Sequence, residues 1–75
     1  MPPVSADQLL PDQSAIIANI TLPALADRLY DMGITPGCSL QLLLCAPCKD
    51  PLIFCTSACI IALRRKDCRH ILLCP

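Results

Sequence analysis

The strongest local signal in the sequence is the stretch Leu25-Ala26-Asp27-Arg28-Leu29-Tyr30-Asp31-Met32-Gly33-Ile34-Thr35-Pro36-Gly37. It predicts a short helix over residues 22–32, because Leu22, Leu25, Leu29 and Met32 recur at helical spacing and form one apolar stripe. Gly33 follows as the residue that ends the helix in left-handed backbone, since it has no Cβ to clash. Ile34 is then expected to fold back on Leu29, as in a Schellman motif.

The next four residues, Thr35-Pro36-Gly37-Cys38, predict a type II turn that leads into a strand. Pro36 fixes its own φ, and Gly37 supplies the positive φ that this turn requires. Gly33 and Gly37 are the only glycines in the chain, so local backbone geometry is specified most strongly here.

Working outward, short apolar runs predict five strands, at residues 15–20, 38–46, 52–56, 59–63 and 70–74. Residues 64–67 are polar and predict a turn, and Thr21 is a candidate cap for the helix. Five short strands with one helix after the first indicate a mainly β fold, a small, partly open five-stranded barrel.

Length and composition limit the other possibilities. Seventy-five residues predict one domain over residues 1–75, with residues 1–6 as a frayed lead-in. The zero net charge argues against nucleic-acid binding, and the apolar runs are too short for insertion into a membrane. No signal peptide opens the sequence, so we expect a cytoplasmic protein whose seven cysteines stay reduced.

Three segments resemble the ferrous iron transport protein A (FeoA) family. The family's Arg-Leu…Leu-Gly-x-x-Pro-Gly pattern is similar to Arg28-Leu29 followed by Met32-Gly33-Ile34-Thr35-Pro36-Gly37. Its Ala-Pro-x-Gly-Asp-Pro turn is similar to Ala46-Pro47-Cys48-Lys49-Asp50-Pro51, with Lys49 in place of glycine. Its closing strand and basic turn resemble Ile61-Ala62-Leu63-Arg64-Arg65-Lys66-Asp67.

This resemblance implies an SH3-like barrel without enzymatic activity that assists bacterial ferrous iron uptake. The implied partner is the FeoB membrane transporter, with its cytosolic GTPase domain. On this interpretation the helix and the basic turn present the contact surface, through Leu25, Arg28, Leu29, Tyr30, Arg64, Arg65, Lys66 and Arg69.

The alternative interpretation is a metal-binding protein. Cys45-Ala46-Pro47-Cys48 places two thiols at a reversal between strands, which is the arrangement of a metal knuckle. Cys45 and Cys48 would then be ligands for Fe(II) or Zn(II), although packing as small apolar residues is the commoner explanation for such cysteines. No cofactor is required on the first interpretation.

Two further features bear on function. Cys68 and His70 could be drawn as a nucleophile and its base, but nothing in the sequence orients them, so we expect no catalysis.

Ile53 and Cys55 alternate with Leu52 and Phe54 along the third predicted strand. This alternation predicts an outward apolar surface, and with it weak homo-oligomers or a docking face.

Overall fold

The computed structural model describes residues 4–47 and 50–74. Its elements in chain order are a 3₁₀ turn (Ala6–Gln8), β1 (Ser14–Ile20), α1 (Pro23–Asp31), β2 (Ser39–Cys45), β3 (Leu52–Cys55), β4 (Ile60–Leu63), α2 (Arg65–Cys68) and β5 (Ile71–Leu73). The prediction of five strands, with a helix between the first two, is confirmed. Each strand begins and ends within a residue of its predicted bounds. No helix of the described residues is long and apolar enough to cross a membrane.

The five strands form one antiparallel sheet in the order β4-β3-β2-β1-β5. Strand β1 changes partner along its length: Ser14 to Ile16 pair with β2, and Ile17 to Ile20 pair with β5. Within the described residues β4 and β5 do not pair with each other, so the sheet is not closed. The five predicted strands are therefore confirmed, and they form an antiparallel sheet; a closed barrel is not observed among the described residues.

The end of α1 and the following turn have the predicted geometry. The Ile34 N–H donates to the Leu29 carbonyl at 2.8 Å, and the Gly33 N–H donates to the Tyr30 carbonyl at 3.0 Å. Gly33 has φ of 80°. These two bonds define the Schellman motif. The type II turn is confirmed as well, since Gly37 has φ of 99° and the Cys38 N–H donates to the carbonyl of residue 35 at 3.0 Å.

The core lies between the sheet, α1, α2 and the 3₁₀ turn. Phe54, the only phenylalanine, is fully buried on β3 beside Leu52, as the alternation of that strand predicts. Aliphatic side chains make up most of the rest: Leu9, Ile17, Ile20, Leu25, Leu29, Ile34, Leu40, Leu42, Ile61, Leu63, Ile71 and Leu73. Met32 was predicted on the same apolar stripe but is 43% exposed, because the helix has ended at Asp31.

Two local predictions are wrong. Thr21 does not cap α1, because the N-cap residue of this helix is Leu22. The Thr21 N–H donates instead to the His70 carbonyl at 2.8 Å. Residues 64–67 were predicted as a turn, but residues 65–67 belong to α2 and Arg64 is its N-cap residue. The Arg64 carbonyl accepts the N–H groups of Asp67 and Cys68, at 3.0 and 3.1 Å, and this closes a helical turn.

Residues 4–6, which were predicted to belong to a frayed lead-in, make contacts with the sheet; residues 1–3 of that lead-in lie outside the described residues. The Val4 carbonyl accepts the Leu73 N–H at 2.8 Å, and Ser5 forms a β-bridge with Leu72. Ala6 is fully buried. The segment therefore lies along the outer edge of β5 and satisfies backbone groups that would otherwise be unpaired.

Candidate interaction surface

Helix α1 packs on the sheet through Leu25 and Leu29, which are 2% and 1% exposed. Both were predicted to contact a partner, but their side chains do not reach the surface. They can act on a partner only by holding α1 in place. The exposed face of α1 is formed instead by Asp27, Arg28, Tyr30 and Asp31.

An ion pair joins α1 to α2. Arg28 Nη2 lies 3.5 Å from Asp67 Oδ2, and the two side chains are 65% and 19% exposed. The structure therefore places a residue of the helix against a residue of the basic turn, the two segments that were predicted to present one contact surface. We call the exposed face of α1 together with Arg64, Lys66, Asp67 and Arg69 the α1–α2 surface.

The predicted basic cluster is partly neutralised by carboxylates from distant parts of the chain. Arg64 lies 3.8 Å from Asp50, and Arg69 lies 3.9 Å from Asp7. Lys66 is exposed and makes no ion pair with any described residue. The surface at α2 is therefore one of mixed charge.

Arg65, predicted as a contact residue, is half-buried and directed inward. Its backbone N–H donates to Asp50 Oδ1 at 2.9 Å, and its Nη1 donates to the Asp7 carbonyl at 3.0 Å. Nη2 lies 3.9 Å from the Cys45 sulfur. Arg65 thus fastens α2 to the 3₁₀ turn and to the end of β2. Nothing in the sequence marks Asp7 as a partner of this arginine.

Tyr30 is the most exposed large side chain on α1, at 71%. It lies beside a cleft of about 240 Å³ that is also lined by Asn19, Thr35 and Pro36. Two residues along a helix correspond to a rotation of about 200°, so Tyr30 and Arg28 lie on opposite flanks of α1. A partner that covers the exposed face of the helix would contact both.

The predicted metal knuckle is described only in part. Cys45 lies at the end of β2, half-buried, and Cys48 lies outside the described residues. Residues 4–47 and 50–74 contain no group of three His, Cys or Asp side chains placed to hold an ion. Metal binding stays a prediction. Metal analysis of protein purified without oxygen, with and without Cys48→Ser, would test it.

Cys68 and His70 do not form a nucleophile–base pair. Cys68 is fully buried, and its burial, followed by the charges of Asp7 and Asp67, raises the pKa of its thiol to about 12. His70 Nδ1 is instead 3.1 Å from the Thr21 hydroxyl oxygen. The cysteine is a core residue and the histidine part of a structural contact.

Cys38, a residue that the sequence did not single out, has its thiol in contact with Thr35. The Thr35 N–H donates to its sulfur at 3.5 Å, and the Thr35 hydroxyl lies 3.7 Å away. These contacts lower the pKa of the Cys38 thiol, because they favour the thiolate.

The comparisons with known proteins agree with this fold. The family model of the FeoA domain matches residues 4–74. The chain belongs to the FeoA family. Among solved structures, the FeoA protein of Chlorobium tepidum is similar, with TM-score 0.85 and 25% identity over 92% of this chain and 68% of that one. Curated proteins gave no match.

Two further solved structures extend the comparison. The iron(II) transport protein A of Clostridium thermocellum matches with TM-score 0.82 and 25% identity, over 92% of this chain and 44% of that one. The Stenotrophomonas maltophilia FeoA, a prokaryotic SH3 domain protein in complex with zinc, matches with TM-score 0.81 and 19% identity, over 96% and 91% of the two chains. The fold of this chain is accordingly SH3-like.

Proposed function

We propose that this FeoA-family chain is a cytoplasmic accessory protein of bacterial ferrous iron uptake. It acts as a protein-interaction module, without catalysis of its own, on the FeoB membrane transporter at its cytosolic GTPase domain. Family membership supports the link to iron uptake, and the similar protein from Clostridium thermocellum is an iron(II) transport protein. The α1–α2 surface is the contact surface in this proposal.

The Arg28–Asp67 ion pair is the observation on which the proposal rests. It places a side chain of α1 against a side chain of α2, so that both elements lie within reach of one partner. Leu25 and Leu29 fix α1 on the sheet from beneath. A partner would therefore meet this surface already arranged, and less conformational entropy would be lost on binding.

The chemistry of the surface favours a protein partner. Its charges alternate in sign, with Asp27 and Asp31 on α1 and Lys66 on α2, whereas a nucleic-acid site would need a continuous basic patch. Tyr30 adds a large exposed side chain of the kind that dominates binding energy in protein interfaces.

The test is binding of the reduced chain to the isolated cytosolic domain of the cognate transporter, measured by calorimetry together with the rate of GTP hydrolysis. We expect a complex and a changed hydrolysis rate. Tyr30→Ala should weaken binding by roughly tenfold or more, because truncation of an interface tyrosine commonly costs 2 kcal/mol or so. Lys66→Glu should slow association, and this effect should fade at high salt.

The matched control is Leu10→Ala. Leu10 is 66% exposed, similar to Tyr30, but lies on neither helix. Its variant should bind as the unmodified chain does. If the chain neither binds the domain nor changes GTP turnover, the proposal is wrong. If Leu10→Ala and Tyr30→Ala weaken binding equally, the α1–α2 surface is not the contact.

A further inference from the structure

Strand β4 leaves one edge of the sheet open. It is the end strand of the sheet, and among the described residues it pairs only with β3. The opposite end strand, β5, is covered by Val4 and Ser5. An exposed edge strand carries a row of unpaired backbone donors and acceptors, which makes it a template for another strand.

The backbone groups that face this open edge can be identified from the register. Thr56 and Cys59 form a hydrogen-bonded pair, since the Thr56 N–H donates to the Cys59 carbonyl at 2.8 Å. Bonded and non-bonded pairs alternate in an antiparallel ladder. The pairs of Ile60 with Cys55 and of Ala62 with Ile53 are therefore non-bonded, and the N–H and C=O of Ile60 and Ala62 point away from β3.

Nothing on β4 protects this edge. The strand is Ile60-Ile61-Ala62-Leu63, without charge or proline, and Ile60 is 67% exposed. A groove of about 540 Å³ runs between β4 and the Arg28–Met32 side of α1, so α1 does not cover the strand. Natural edge strands usually carry a lysine, a proline or a bulge that blocks further pairing.

The outer face of the same strands is apolar as well. Leu44 pairs with Ile53, and Ile53 pairs with Ala62, which forms a cross-strand row over β2, β3 and β4. Leu44 is 51% exposed. This row contains the predicted outward residue Ile53, and it continues to the open edge. Contiguous exposed apolar surface of this kind marks an association site.

We propose that the open edge of β4 binds β4 of a second copy of this chain, antiparallel and about a two-fold axis at Ile61. Ile60 then lies opposite the partner's Ala62, and Ala62 opposite the partner's Ile60. Both are hydrogen-bonded pairs, so the outward donors and acceptors of the two strands satisfy one another. The sheets of the two copies join into one.

A second copy fits this edge because the edge is complementary to itself. Antiparallel pairing at Ile61 sets each large Ile60 side chain against a small alanine on the same face, and such an isologous contact closes after two copies. Arg64 follows β4 at one end only, so the two arginines lie at opposite ends of the joined strands and do not repel each other.

Sedimentation velocity of the reduced chain from micromolar to millimolar concentration tests the proposal, together with residue-resolved amide exchange over the same range. We expect a monomer–dimer equilibrium, with the amides of Ile60 and Ala62 exchanging more slowly as concentration rises. Ile60→Lys should weaken dimerisation by roughly tenfold or more, since it removes apolar contact and places like charges on the edge. Leu10→Lys, at a side chain 66% exposed, should leave it unchanged.

Several results would overturn the proposal: a monomer at every concentration, a dimer that Ile60→Lys does not weaken, or a dimer in which both amides exchange as in the dilute protein. Protection of those amides only on addition of a different protein would also overturn it, because the edge would then serve another partner. The amide measurement needs no variant and does not depend on the folding of Ile60→Lys.

Discussion

At the scale of single residues, the Cys68 thiol makes the free energy of unfolding depend on pH in the alkaline range. Burial raises the pKa of its thiol to about 12 from 9.0. The folded chain keeps this proton while the unfolded chain releases it above pH 9, so the unfolded state binds fewer protons. The free energy of unfolding should therefore fall as pH rises from 9 towards 12. Between pH 9 and pH 10 the Cys68 thiol alone should lower it by about 1 kcal/mol.

Urea unfolding at pH 8 and pH 10 measures this loss. Other groups titrate in the same range, so the relevant quantity is the difference between the unmodified chain and Cys68→Ala. The variant is expected to be less stable at pH 8, because it leaves a small cavity, but to lose less stability on going to pH 10. Equal losses in the two proteins would contradict the assigned cause.

Cys38 and Cys68 should also react differently with thiol reagents. The contacts with Thr35 lower the pKa of Cys38 and its side chain is only half-buried, whereas Cys68 is fully buried with a raised pKa. Maleimide at neutral pH should modify Cys38 in the folded chain and leave Cys68 unmodified until urea unfolds the protein. Peptide mass spectrometry reports both. Labelling of Cys68 at the rate of Cys38 would contradict this picture.

At the scale of elements, the end of α1 depends on the left-handed backbone at Gly33. Gly33→Ala should lower the free energy of unfolding by about 1–2 kcal/mol, because a Cβ is unfavourable at φ of 80°. Steric clash is not the reason, since the added Cβ would lie 3.6 Å from the Ala58 Cβ, an ordinary contact. Gly33→Asn is the matched control and should lose less, because asparagine tolerates this conformation. Chemical denaturation would measure both.

The contact between α1 and α2 is expected to be weak in energy. The exposed Arg28–Asp67 pair should show a coupling of about 0.5 kcal/mol in a double-mutant cycle with Arg28→Ala and Asp67→Ala. The coupling should shrink at high salt. The function of the pair on this account is to align two elements. A coupling of several kcal/mol would mean that it contributes to the fold itself.

At the scale of the whole molecule, features set by local rules could be predicted from the sequence. The helix end at Gly33 and the turn at Gly37 follow from backbone sterics at single residues, and both have the predicted bonds. The burial of Leu52 and Phe54 follows from alternation along one strand. The strand order depends on how distant segments meet, which periodicity does not specify.

The part of the surface that could not be predicted depends on contacts across the chain. Arg65 was grouped with its basic neighbours, yet its side chain turns inward, where Nη1 donates to the backbone carbonyl of Asp7, a residue far away in the sequence. Leu29 was assigned both to the core stripe and to the contact surface, and only the first assignment holds. A helical wheel places a residue on a face, but it does not indicate what covers that face.

We have proposed that the α1–α2 surface contacts the cytosolic domain of a FeoB transporter. An NMR titration of the ¹⁵N-labelled chain with that domain would locate the contact, since each backbone amide is observed separately. We expect the perturbed amides to cluster at Asp27 to Asp31 and at Lys66 to Arg69, while those of β2 and β3 change little. An unchanged spectrum at saturating concentrations, or changes confined to the sheet, would contradict it.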